Sequence, residues 1–247
     1  MSFSLRRRCQ LLSLVLGAAV VVAMAPSAAQ ASVKNPTTKS VLKATQKAMS
    51  TVTGVHIYVY SKTGTDSSVV IVDIGATYGQ ESIVSGKSHV KIIVTPLDAY
   101  LSGSPTGLTT IMGLTAAQAK KVGTRSVVMK EGTAPYTSFQ GNLTTGVLAS
   151  ILPASKGTKF KVGGGAHSKD YQLSWNTAAT ASAGATKSVL TISSGALTLP
   201  VKEVITGSTG GGTTTFSDWN ERVTEPTPPA ADTIPYASIV ATKAKAG

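Results

Sequence analysis

The chain has 247 residues, a formal charge of +12, a single cysteine and only 5% aromatic residues. One cysteine excludes an internal disulfide and a zinc ribbon. Basic residues scattered along the chain, with no interleaved aromatic stripe, argue against a nucleic-acid partner. Beyond the N-terminal leader, no stretch approaches the ~18 apolar residues that a membrane-spanning helix needs.

Residues 1–31 read as a secretory signal: Arg6, Arg7 and Arg8 form a basic region, Leu11 to Ala25 an apolar one, and Ala29-Gln30-Ala31 a small-residue cleavage site. Cleavage after Ala31 removes Cys9 and lowers the surplus charge from +12 to +9, because the three arginines leave with it. A lipid-anchored export signal would need a cysteine directly after the apolar region, and Ser32 follows Ala31 instead. The mature protein is therefore expected to be exported, periplasmic, wall-associated or secreted, and free of a lipid anchor. It is read as a single domain over residues 32–247 with a proline-rich tail, and its ~216 residues suffice for a hydrophobic core.

Asn35-Pro36 predicts a helix start, and Val41, Leu42, Thr45, Ala48, Met49 and Val52 recur at helical spacing up to Gly54. Strands follow at Val55–Ser61, Val69–Ala76, Gln80–Val84 and Ser88–Thr95, with Ser85-Gly86-Lys87 as a hairpin turn. Val69–Ala76 is apolar on both sides except at Asp73, which predicts that both faces of that strand are covered. Leu97 to Met129 reads as strand, break, two short apolar helices and strand. Leu108, Ile111 and Met112 sit before Gly113, and Thr115 caps a helix over Ala116–Val122. Gly103, Gly107 and Gly113 around the first of these helices suggest a mobile lid. Thr144 is expected to cap a helix through Val147, Leu148, Ile151 and Leu152, which also accounts for the glycosylation-like Asn142-Leu143-Thr144.

Further strands are predicted at Thr158–Val162, Asp170–Asn176, Lys187–Ser193, Thr198–Thr206 and Thr213–Asp218. Gly163-Gly164-Gly165, Ala183-Gly184 and Gly210-Gly211-Gly212 read as the turns between them, and the proline-rich end as an edge segment. Runs of antiparallel strands with the helices kept together predict an α+β fold: a strongly curved antiparallel sheet, a half-barrel of about ten strands, wrapped over a few helices.

Catalytic motifs are lacking. Gly86-Lys87-Ser88 ends like a phosphate loop, but Glu81 stands where its first glycine would be. There is no Gly-x-Ser-x-Gly elbow, and His56, His89 and His167 have no companion at catalytic or metal-ligand spacing. Asp73 is either a buried functional carboxylate or, more simply, a strand-end residue. No metal, cofactor or catalytic residue is expected. The lysine surplus fits attraction to anionic lipid head groups or wall polymers.

Several segments together resemble the actinobacterial LppX/LprG family of envelope lipoproteins, related in fold to the LolA/LolB carriers. They are Ser40-Val-Leu-Lys-Ala-Thr, Val52-Thr-Gly-Val-His, Asp98-Ala-Tyr-Leu-Ser-Gly, Met112-Gly-Leu-Thr-Ala-Ala-Gln-Ala-Lys-Lys, Leu199-Pro-Val-Lys, Phe216-Ser-Asp-Trp-Asn-Glu and Pro228-Pro-Ala-Ala-Asp. The resemblance implies a LolA-like bent sheet and a hydrophobic cavity for acyl chains of envelope lipids or lipoglycans, with no covalent chemistry. Its partners would be a lipid or glycolipid, a membrane surface or an export partner. The chain departs from the family in lacking the lipid-anchoring cysteine.

Small strand residues (Val, Ile, Ala, Thr) over a wide concave sheet leave space, which agrees with a cavity. The residues expected to line it are Ile57, Val70, Val72, Ile92 and Val94 on the strands, closed by Leu108, Ile111 and Met112 and by Leu148 and Ile151. The alternative is a secreted wall-binding or structural protein with a filled core, because core and cavity use the same residue types.

Overall fold

The computed structural model describes Val33 and residues 35–163, 169–179, 184–224 and 226–240. Helix α1 runs over Thr38–Met49. Its cap is Thr37 rather than Asn35, which has φ 52° and lies outside the helix. The cause is a reciprocal pair: Thr37 Oγ1 accepts from the Ser40 N–H at 3.2 Å, and Ser40 Oγ accepts from the Thr37 N–H at 2.8 Å. Val41, Thr45, Ala48 and Met49 form its buried ridge.

Twelve strands follow: β1 (Gly54–Thr63), β2 (Asp66–Gly75), β3 (Gly79–Ser85), β4 (Ser88–Val94), β5 (Asp98–Gly103), β6 (Ser126–Lys130), β7 (Lys159–Val162), β8 (Tyr171–Thr177), β9 (Thr186–Ile192), β10 (Pro200–Gly207), β11 (Gly210–Ser217) and β12 (Thr233–Pro235). They build one curved sheet in the order β12-β6-β5-β4-β3-β2-β1-β11-β10-β9-β8-β7. Pairing is antiparallel except between β12 and β6, and the sheet does not close. This is the α+β half-barrel expected from the sequence, with twelve strands where about ten were anticipated.

Gly210, Gly211 and Gly212 lie inside β11 rather than in a turn, opposite Thr63, Lys62 and Ser61. A Cβ on Gly210 would stand 2.2 Å from the Lys62 carbonyl oxygen, and one on Gly212 2.6 Å from that of Tyr60. The glycines let β11 lie close against β1, and the turn falls instead at Ser208-Thr209, between β10 and β11. Gly164 and Gly165 of one expected turn, and Ala183 of another, lie outside the described residues.

Most of the helical segments sit between β5 and β7 in sequence. They are α2 (Pro105–Thr110), α3 (Ala116–Val122), α4 (Ala134–Asn142) and a 3-10 turn at Thr145–Ile151. Helix α3 has the predicted bounds, with Thr115 and Gln118 forming a capping box. Helix α4 was not anticipated, and what holds it is remote in sequence: the Tyr136 hydroxyl contacts the carbonyls of Thr95 at 2.9 Å and Pro96 at 2.8 Å. The helix expected after Thr144 is a 3-10 turn instead. The Thr144 hydroxyl donates backwards to the Gln140 carbonyl at 2.9 Å and caps nothing. The proline-rich end does form an edge strand, β12 alongside β6, followed by α5 (Tyr236–Val240).

The lid reading requires correction. Gly103 and Gly107 are sites of close approach, because a Cβ on either would fall 2.5 Å or 2.2 Å from the His89 carbonyl oxygen on β4. Ser104 fastens the same junction, donating its N–H to that oxygen at 3.0 Å and accepting the His89 N–H at 3.1 Å. Leu108 is completely buried. Helix α2 is therefore riveted to β4, and of the three glycines only Gly113, at φ 73°, has the left-handed backbone that favours glycine. Gly107→Ala is expected to cost about 1–3 kcal/mol through overpacking. Gly141→Ala in α4, with open space around it, should be neutral or stabilising by up to about 1 kcal/mol. Urea unfolding of both variants checks the contrast; equal midpoints would contradict the tight α2–β4 junction.

Candidate functional site

Residues opposite one another in a ladder share a face, so the register divides the whole sheet into two sides. The row Val94, Gly79, Ile74 and Val55 opens the concave side on β4, β3, β2 and β1. The next row is Leu101, Ile92, Glu81, Val72, Ile57 and Phe216. Beyond it come Val90, Ile83, Val70, Val59, Thr214 and Glu203, continued by Leu190, Leu173 and Phe160. Among the described residues, no lysine or arginine lies on this side of the strands.

Burial along these rows is graded. Val55, Ile74 and Val94 are sealed, and Gly79 meets the backbone of Leu143 at the end of α4. One or two residue pairs further along, Val59, Val70 and Ile83 are only half-buried. Of the ten side chains singled out from the sequence, all five strand residues are on the concave side. Ile57, Val72, Ile92, Val94, Leu108 and Leu148 are buried within the packed core. Val70, Ile111, Met112 and Ile151 are half-buried against it and keep accessible area. The apolar surface that remains available lies toward the β1–β2 and β3–β4 turns, with the link between α2 and α3 and the turn at Thr145–Ile151 bearing the other half-buried side chains.

Two carboxylates on this side were missed. Glu81 lies between Val72 and Ile92, each only 2% exposed. The helical segments α2, α4 and Thr145–Ile151 contain no charged residue to pair with it. Burial pushes its carboxyl up to about 7. Glu203, between Thr214 and Leu190, is raised by burial as well, partly offset by a hydrogen bond from Ser188. The signal for Glu81 was parity: it is two residues before Ile83 in a strand already predicted over Gln80–Val84.

The convex side carries Tyr58, Tyr60, Val69, Ile71 and Val84 on its middle strands. Lys62, Lys91, Lys130, Lys159, Lys161, Lys187 and Lys202 are spread across the same side. Val69 and Ile71 are half-buried, so among the described residues no second layer covers β2 as its apolar sequence suggested. Asp73 is on this side near the end of β2, where its Oδ1 meets His56 Nδ1 at 2.6 Å and its Oδ2 accepts from Gln80 Nε2 at 2.6 Å. A polar cleft of about 230 Å³ adjoins it, lined by His56, Asp73, Asp218, Glu221 and Arg222 among others. Among the described residues no hydroxyl or thiol side chain hydrogen-bonds His56, and no three His, Cys, Asp or Glu side chains converge as metal ligands. His89 engages α2 through its backbone, and His167 lies outside the described residues.

The Glu81 carboxyl is uncharged more readily in the folded chain than at the ordinary value of 4.5. Its contribution to stability is complete below pH 4.5 and is lost as pH rises through about 7. The loss amounts to at most about 3 kcal/mol. Glu203 acts with the same sign. Denaturant unfolding at mildly acidic and mildly alkaline pH should show the protein weaker at the alkaline end. Glu81→Gln should remove most of that slope, and Glu81→Gln with Glu203→Gln nearly all of it. A pH-independent wild-type midpoint would contradict the apolar setting of Glu81.

No protein-family model matches the chain, and no curated protein matches its sequence. Among solved structures it is similar to LprF from Mycobacterium bovis, with a TM-score of 0.45 and 16% identity, covering 77% of this chain and 96% of that one. It is similar also to the lipoprotein LppX from Mycobacterium tuberculosis, with a TM-score of 0.42, 17% identity, and coverage of 77% and 99%. A LolA superfamily protein from Nitrosomonas europaea matches with a TM-score of 0.29, 8% identity, and coverage of 77% and 96%.

Proposed function

We propose that the protein is an exported carrier that shelters the acyl chains of an envelope lipid or lipoglycan against the concave side of its sheet. The observation that carries this reading is a set of half-buried apolar side chains: Val59, Val70 and Ile83 form one zone on the concave strands, and Ile111, Met112 and Ile151 on the helical segments are half-buried as well. Its own helices leave that zone partly uncovered. Acyl chains laid there would gain roughly 0.8 kcal/mol for each buried CH₂, which is affinity without catalysis or a metal. The absence of lysine and arginine from this side of the described strands agrees with a hydrocarbon cargo. The order of the leader, basic then apolar then Ala29-Gln30-Ala31, supports export, and Ser32 supports a freely diffusing form.

A second reading, a surface-binding envelope protein with a filled core, draws on the near-complete burial of Val72, Ile92, Val94, Leu108 and Leu148. The two readings part at the half-buried zone. Uptake of a fluorescent fatty acid should be measurable for the mature chain. Ile111→Trp or Val70→Trp should lower it by about tenfold, equivalent to ~1.4 kcal/mol, while Thr213→Trp on the convex side leaves it unchanged. Undiminished uptake in folded Ile111→Trp and Val70→Trp variants would move the site elsewhere, and no uptake by the wild type would favour the filled core.

A further inference from the structure

Charge on the sheet is segregated by face. Every lysine of the described strands is on the convex side, whereas Glu81 and Glu203 are on the concave one. The two aspartates of the convex side are already engaged, Asp73 by His56 and Gln80, and Asp98 by Lys130 at 2.8 Å. The middle of that side is not charged but apolar. Tyr58 and Tyr60 are each 39% exposed and Val84 45%. In the register Tyr60 lies beside Val69 and Val69 beside Val84, and Tyr58 lies beside Ile71. This patch falls on β1, β2 and β3, and β2 and β1 are the sixth and seventh of the twelve strands in sheet order. On a sheet bent toward its helices, the central strands form the crest and reach a flat surface first.

We infer that the convex crest is a docking face for an anionic lipid bilayer. Tyr58, Tyr60 and Val84 would enter the head-group layer, while Lys62 beside them on β1 and Lys202 on β10 meet lipid phosphates. A tyrosine suits that depth because its ring is apolar and its hydroxyl stays hydrated. A lysine-bearing surface gains attraction from anionic lipids that falls with added salt. A soluble polyanion would need only the lysines, and the exposed tyrosines and valine at the centre therefore favour a membrane. Docked this way, the sheet presents its helix-covered side and its strand-end turns away from or beside the bilayer. The inference does not depend on any ligand bound within the fold.

Sedimentation of the mature chain with vesicles tests it. The protein should pellet with vesicles of equal parts phosphatidylcholine and phosphatidylglycerol, and not with phosphatidylcholine alone. Lys62→Glu with Lys202→Glu should weaken pelleting by roughly tenfold or more, and Tyr58→Ser with Tyr60→Ser should weaken it comparably. Lys43→Glu with Lys47→Glu, an equal charge change on exposed positions of α1, should leave it unchanged. Ile111→Trp should also leave it unchanged, which separates docking from lipid uptake. The inference is overturned by no pelleting with anionic vesicles, or by an α1 charge reversal as damaging as the crest reversal. It is overturned as well by tyrosine variants that bind like wild type while soluble polyphosphate competes, since that pattern describes a wall-polymer site.

Discussion

The structure depends on a two-residue alternation kept in step across twelve hydrogen-bonded strands. Because successive side chains point to opposite sides, a slip of one residue in any strand exchanges its faces. A slip in β1 would turn Lys62 and the Tyr58 and Tyr60 hydroxyls toward the helices and expel Val55, Ile57 and Val59. The tight turns oppose such slips. Gly64 at φ 59° and Gly86 at φ 57° supply the left-handed backbone that closes the β1–β2 and β3–β4 hairpins in register. The glycines of β11 extend the same constraint by bringing that strand against β1 where a side chain would not fit.

From this alternation follow two surfaces with different chemistry. The concave one is apolar, free of lysine and arginine among the described strands, and graded from a sealed end near Val55, Ile74 and Val94 to a half-buried end near Val59, Val70 and Ile83. Helix α1 seals with Val41, Ala48 and Met49, and α2 is pinned to β4 through Ser104 and His89. Thr214, the paired Ser61 and Ser68, and Asp66 at the turn interrupt its apolarity, and burial keeps Glu81 and Glu203 inclined to the neutral form. The convex surface is basic at its flanks and aromatic at its crest. A carrier of acyl chains would use both, one to hold its cargo and the other to meet the bilayer that supplies or receives it.

Much of this was legible from the chain because the cues are local. Alternation located the strands to within a few residues, and Thr115 and Gly123 marked the ends of α3, where the structure adds a capping box with Gln118. What escaped depends on partners far away in sequence. Helix α4 has little apolar periodicity and is held by the Tyr136 hydroxyl on the chain at Thr95 and Pro96. Gly210-Gly211-Gly212 looks like a turn until β1 is set beside it, and Gly103 and Gly107 look like hinges until His89 is opposite them. Glu81 was visible as a residue but not as part of a site. Its meaning comes from Val72 and Ile92 on either side, a fact of register rather than of spacing.

Native mass spectrometry of the protein purified from its own source, followed by solvent extraction, is the most direct test of whether the half-buried zone is a binding site. The account predicts a co-purifying acyl lipid at roughly one per chain, released on extraction and restored by adding it back. A clean unliganded mass, with no uptake of added lipid, would contradict it and leave the apolar strands as nothing more than a core.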